Sequence, residues 1–271
     1  MQVELLLNNF ASEFLVAITI ASATWVLTSA SSWRTRRRFD AVFGRSASKG
    51  KVGILLSALA IKESESGYVD VLKREPDGSE TTRRFTRLRG LISKKDVGAF
   101  EQIASLSSSI NKLPVRLMID DEPNQDLTGN IVLLGGPLSN ALVARLQAAW
   151  HGRKGFFEFA PFEHDHGTVA VRDMTTDEYF ATDEHFEYAI ILRDRNPYDS
   201  VAKRHVWILA GGGVDGTLSA AQYVRNNWRD LKTRKAPLAI LIRLSRGIPA
   251  SYEVIRRYDG DKVSSVAGQK A

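Results

Sequence analysis

Two segments of this chain follow one plan, and together they restrict its fold more than any other feature. NIVLLGG (130–136) runs into PLSNALVARLQAAW, and HVWILAG (205–211) runs into GGVDGTLSAAQYVRNNW. Each is a short continuous apolar run, then glycines, then apolar residues at helical spacing. A strand buried on both faces reads as such a run, and a helix reached through a tight turn covers one of its faces. The unit predicts an α/β fold. Further strands are predicted at 52–61, 68–73, 115–120, 156–160, 168–172, 186–193, 237–244 and 251–258. A helix is predicted over 96–113, with Asp96 as its N-cap and Pro114 as its stop. The alternation predicts a Rossmann-like, doubly wound, mostly parallel sheet with an antiparallel annex around 156–172. A Pro-Asp-Gly turn within 75–84 suits a hairpin.

The other organising feature is electrostatic. No residue between Glu13 and Arg34 is charged, and FLVAITIASATWVLTSASSW fills the gap. A helix needs roughly 20 apolar residues to cross the hydrocarbon core. Arg34, Arg36, Arg37 and Arg38 follow at once, and no Lys or Arg precedes the run. The positive-inside bias then predicts a single transmembrane helix with a cytoplasmic C-terminal domain, in a cell inner membrane. An amphipathic helix is the competing reading, because serines and threonines dilute the run. The implied organisation is an anchor at 1–33, a basic juxtamembrane linker at 34–51, the α/β domain at 52–260 and a tail at 261–271. Ala17 and Ala21 form a small-xxx-small pair that suits self-association into a homo-oligomer.

The chain has no cysteine, which excludes disulfides, thiolate catalysis and cysteine-based zinc sites. His164 and His166 have no third ligand fixed by spacing, so no metal and no cofactor are assigned. RRFTRLRG (83–90) is basic with interleaved apolar residues; anionic lipid is the simpler partner and DNA binding is not expected.

Open α/β sheets bind ligands beyond the carboxyl ends of their strands, where both glycine segments fall. Glycine lets the backbone approach a ligand closely, and a helix start offers unpaired N–H groups to an anion. The candidate ligand-binding residues are therefore Gly135, Gly136, Ser139 and Asn140 in the first loop. Those of the second are Gly211, Gly212, Gly213, Asp215, Gly216 and Thr217. Arg193 and Asn196, after the strand at 186–193, are added as reach toward an anion. Tight turn geometry alone would also call for these glycines, and Asn196-Pro197 also suits a solvated turn. Neither loop has the Gly-Lys-Ser/Thr of a P-loop or the G-x-G-x-x-G of a dinucleotide site.

GGGVDGTLSA is similar to the Gly-Gly-x-Gly-Thr core of the LOG/lysine-decarboxylase-like nucleotide-binding proteins of the wider SLOG superfamily. Gly216 and Thr217 match its Gly-Thr, and Gly211 and Gly212 match its leading glycines, with looser spacing between. Where catalytic members carry a glutamate shortly after Gly-Thr, this chain has Leu218, Ser219 and Ala220. The resemblance implies nucleotide binding and puts phosphoribohydrolase chemistry in doubt. Some SLOG-type domains are tethered to membrane segments and are thought to sense nucleotide signals in bacterial antiviral defence. The expectation is thus a membrane-anchored sensor of a nucleotide-type signal. A tethered nucleotide or sugar-nucleotide hydrolase or transferase using Asp120, Asp121 or Asp215 stands as the alternative. A scaffold without a small ligand stands as a third reading. No catalytic residue is assigned.

Overall fold

The computed structural model describes residues 29–49, 52–56, 68–74, 80–86, 93–111, 115–119, 126–137, 139–161, 169–199, 204–213, 215–231, 237–246, 251–260 and 262–264. Its centre is one eight-stranded sheet. In spatial order it comprises β13 (Lys262–Ser264), β12 (Tyr252–Asp259), β11 (Leu238–Ser245), β9 (Phe186–Arg195), β10 (His205–Gly211), β5 (Asn130–Leu134), β1 (Val52–Leu56) and β4 (Arg116–Ile119). The strands β10, β5, β1 and β4 run parallel. From β10 outward through β9, β11, β12 and β13 every pairing is antiparallel.

The sheet is therefore mixed, and the mostly parallel arrangement expected from the sequence is corrected. The cause is β9. It is buried along nearly its whole length between β10 and β11 and runs against both. Its continuous apolar run reports burial on two faces, which a central strand needs whatever its direction.

Alternate side chains of the strands feed two cores. Ile54, Leu56, Val132, Leu134, Trp207 and Leu209 face one side, where they meet three helices. These are α1 (29–43), α2 (Lys94–Asn111) and α4 (Gly216–Asn227). Leu55, Ile131, Leu133, Val206 and Ile208 face the other side. There they meet α3 (Ala141–Trp150) and a small antiparallel sheet of β6 (Phe157–Pro161), β7 (Val169–Asp173) and β8 (Tyr179–Ala181). A separate hairpin joins β2 (Tyr68–Arg74) to β3 (Glu80–Thr86).

The basic linker and the membrane anchor need correction together. Residues 34–43, expected as part of the basic linker, belong to α1. Phe39, Val42 and Phe43 are almost fully buried, with Phe39 stacked on Phe43 and Phe43 tilted against Trp207. Burying each such side chain contributes about 1.5–3 kcal/mol, so α1 is part of the core. Beyond it Asp40 accepts hydrogen bonds from the Ser48 amide and hydroxyl, and Ala47 is buried. No helix among the described residues is long and apolar enough to cross a membrane. Residues 1–28 of the expected anchor lie outside the described residues, and 29–33 belong to the helical stretch that carries four arginines and docks on the domain. The single-pass, inner-membrane placement is overturned on that ground. Hydropathy alone could not distinguish an apolar run that continues into a membrane from one that leads into a docking helix.

Candidate anion site at the carboxyl rim

Because β5 and β10 are parallel neighbours, with Leu134 beside Leu209, their chains leave the sheet at the same rim. The Gly135 amide donates to the Leu209 carbonyl (3.1 Å), and Gly135 has φ 97°, a conformation L side chains rarely adopt. A Cβ on Gly136 would lie 3.6 Å from the Gly211 carbonyl oxygen. The two glycine loops therefore touch. The candidates of both loops are brought together: Gly135, Gly136, Ser139, Asn140, Gly211, Gly212, Gly213, Asp215, Gly216 and Thr217.

Most of their polar groups are already engaged. Asn140 is fully buried and is the N-cap of α3. Its Oδ1 accepts from the Leu142 and Val143 amides, each at 3.1 Å, and its Nδ2 donates to the Leu134 carbonyl at 3.1 Å. Ser139 closes the turn, its amide and hydroxyl both donating to the Gly136 carbonyl. In the second loop the Gly212 amide donates to the Tyr188 carbonyl, and Thr217 is buried. Gly211 and Gly216 pack backbone on backbone, since a Cβ on either would lie only 2.3–2.4 Å from the other's Cα.

The residue that organises this loop was not among the sequence candidates. Glu187, on β9, is 2% exposed and turns its carboxylate into the start of α4. Its Oε1 accepts from the Gly216 amide at 2.5 Å and its Oε2 from the Asp215 amide at 3.3 Å. A Cβ on Gly213 would meet that carboxylate at 2.6–2.7 Å, so the glycine makes room for it. The helix start binds an oxyanion, and the oxyanion is supplied by the chain. Burial pushes the Glu187 carboxyl above its ordinary range, against the opposing pull of the two amides. At the outer edge the Asp215 carboxylate, which makes no capping bond, pairs with Lys95 Nζ of α2 at 2.5 Å.

Arg193 and Asn196 lie elsewhere, and their place in the expected site is corrected. β9 is antiparallel to β10, so Arg193 stands beside Trp207 and Arg195 beside His205, toward the opposite rim. Arg193 is 1% exposed and donates to the carbonyls of Val42 and Leu231, each at 3.3 Å. It thereby ties the carboxyl end of α1 to the turn that follows α4, where a positive charge suits the helix dipole. Burial pushes its guanidinium pKa down to about 10, and its Cζ lies 5.5 Å from the Trp207 ring centre. Asn196 holds a turn: Nδ2 donates to the Leu127 and Gly129 carbonyls, and Oδ1 accepts from the Tyr198 amide.

Asp120, Asp121, His164 and His166, the small pair Ala17 and Ala21, and residues 87–90 of the basic segment all lie outside the described residues. Among the described residues no group of three His, Asp or Glu is placed to hold a metal ion. One signal pointed to Glu187: an acid within the apolar first part of β9. Which loop it would meet depends on strand pairing, which sequence spacing does not contain. No family model matches the chain, and no curated protein matches it.

Proposed function

We propose that the chain is a non-catalytic binding module that takes a nucleotide-type anion at the rim shared by the loops 135–140 and 211–217. The observation that carries this reading is the Glu187 carboxylate seated on the Asp215 and Gly216 amides. Those two N–H groups, at a helix start and beside a second glycine turn, already coordinate a planar oxyanion. A phosphate group makes the same demand on them with more charge. The ligand displaces Glu187, whose burial already disfavours its ionised form, and draws Lys95 away from Asp215 to pair with it.

Calorimetry of the full chain with mononucleotides and cyclic oligonucleotides tests the reading. Glu187→Gln, which removes the competing charge and keeps an acceptor, is expected to bind roughly tenfold more tightly than wild type, a gain of about 1.4 kcal/mol. Lys95→Met is expected to bind more weakly. Absence of binding by both wild type and Glu187→Gln at millimolar nucleotide would refute it, as would affinities indifferent to both substitutions.

A further inference from the structure

A second concave surface lies toward the other end of α4. That helix carries the glycine rim at its start and Trp228 at its C-cap, 12 residues on. At a rise of about 1.5 Å per residue the two ends are roughly 18 Å apart. Here α1 and the end of α4 enclose a cleft of about 630 Å³, lined by Trp33, Arg34, Arg37, Arg38, Trp228 and Arg229, together with Thr35 and Ala41. Trp33, Arg34, Arg37, Arg38 and Ala41 fall on one stripe of α1, and Phe39, Val42 and Phe43 are the side it buries. The outward stripe is held in place by the core packing beneath it, since Trp228 meets Phe39 edge-on at 5.8 Å.

The chemistry of the lining is one-sided. It contains four guanidinium groups and no carboxylate. Among the described residues none of Arg34, Arg37, Arg38 and Arg229 forms an ion pair. Trp33 is 58% exposed, an unusual fraction for so large an apolar ring. The Arg37 guanidinium lies 5.2 Å from the Trp33 ring centre and that of Arg229 5.5 Å from the Trp228 ring centre. Like charges gathered in one concavity raise one another's energy, and a bound polyanion relieves it. Guanidinium groups match phosphate oxygens in geometry, and an exposed indole offers a face for a flat ring. The volume lies within the range of small-molecule sites.

We infer that this cleft is a binding site for a soluble nucleoside polyphosphate, with linked phosphates held by Arg34, Arg37, Arg38 and Arg229 and the base laid on Trp33. A single carboxylate would answer only one of the four charges, and an acidic peptide would leave the indole unused. The inference is independent of the glycine rim.

The test uses the full chain, with ATP and inorganic tripolyphosphate as probes, followed by calorimetry and tryptophan fluorescence. Wild type is expected to bind both, with affinity falling steeply as salt rises. Arg34→Gln combined with Arg38→Gln, at exposed positions, lowers both affinities tenfold or more and leaves the melting temperature in place. Trp33→Leu weakens ATP and spares tripolyphosphate. Glu187→Gln changes neither affinity at this cleft, which separates it from the rim. No binding at millimolar probe, affinities unchanged in the double arginine variant, or retention on anionic phospholipid vesicles without response to either soluble probe would overturn the assignment.

Discussion

Replacing Gly211 by alanine separates turn packing from ligand contact at the rim. A Cβ at Gly211 would lie 2.3 Å from the Gly216 Cα, 2.7 Å from the Gly216 carbonyl carbon and 2.8 Å from the Thr217 nitrogen. Comfortable carbon–carbon separation is ~3.5–4.0 Å, so the start of α4 must move away from β10 by about 1 Å. Neighbouring atoms are backbone on both sides, and no rotamer change relieves them. Overpacking of this kind costs about 1–3 kcal/mol, and here the rigid contact argues for the upper end. The shift also draws the Gly216 amide off Glu187, adding the cost of a weakened charged hydrogen bond, ~1.5–3 kcal/mol at most. A net loss of about 3–4 kcal/mol lowers the melting temperature by roughly 6–16 °C in a domain of this size. Gly136→Ala is the control, because its Cβ meets only the Gly211 carbonyl oxygen, at 3.6 Å. It is expected to shift stability by less than about 1 kcal/mol. Circular dichroism melts and urea midpoints of the two variants decide the matter. A Gly211→Ala protein melting within 2 °C or so of wild type would refute the packing argument.

Arg193→Met leaves the Val42 and Leu231 carbonyls without that donor and is expected to destabilise by about 3 kcal/mol in urea unfolding, with nucleotide affinity unchanged. Asn140→Ala removes the α3 cap and is expected to cost about 1–2 kcal/mol by the same measurement. A chain begun at residue 46 lacks Phe39, Val42 and Phe43 and is expected not to fold, seen as loss of the cooperative melt. His205 is pushed down to about 4 by burial and then by the Arg193 charge, so the fold holds it neutral where the unfolded chain protonates it. Its contribution is present above pH 6.5 and is lost as pH falls toward 4, so His205→Asn is expected to flatten the fall of the urea midpoint across that window. Glu187 has the opposite sign. Its raised carboxyl contributes stability below pH 4.5 that is lost as pH rises through its folded value, and Glu187→Gln removes that term.

Particular residues show where sequence reasoning ends. The run NIVLLGG announces a strand buried on both faces followed by a turn, and β5 is that strand, with Gly135 at φ 97° where the sequence has its first glycine. The cap of α3 was equally local: Ser-Asn before an apolar helical stripe puts an amide side chain within reach of its own first turn. Helix α2 was legible for the same reason, although it begins at Lys94, where the Lys95 amide donates to the Ser93 hydroxyl, two residues ahead of the Asp96 expected as its cap. Arg193 was misplaced because a strand's apolar pattern has no direction. Run parallel to β10, β9 would have carried it to the glycine rim; run antiparallel, it meets Val42 and Leu231. The docking of α1 was hidden by its composition, in which four arginines, three of them on the outer stripe, outweigh three core residues beneath.

By itself the sequence determined which segments are strands and helices along β5–α3 and β10–α4, where the chain must turn tightly, and that no thiol chemistry is available. These properties depend on residues within one or two turns of each other. Tertiary structure alone decided that the two glycine loops touch, that Glu187 fills the amide pair at the head of α4, and that Trp33 and four arginines share one cleft. Each of these joins residues far apart in the chain, and only strand order and direction bring them within hydrogen-bonding or stacking distance.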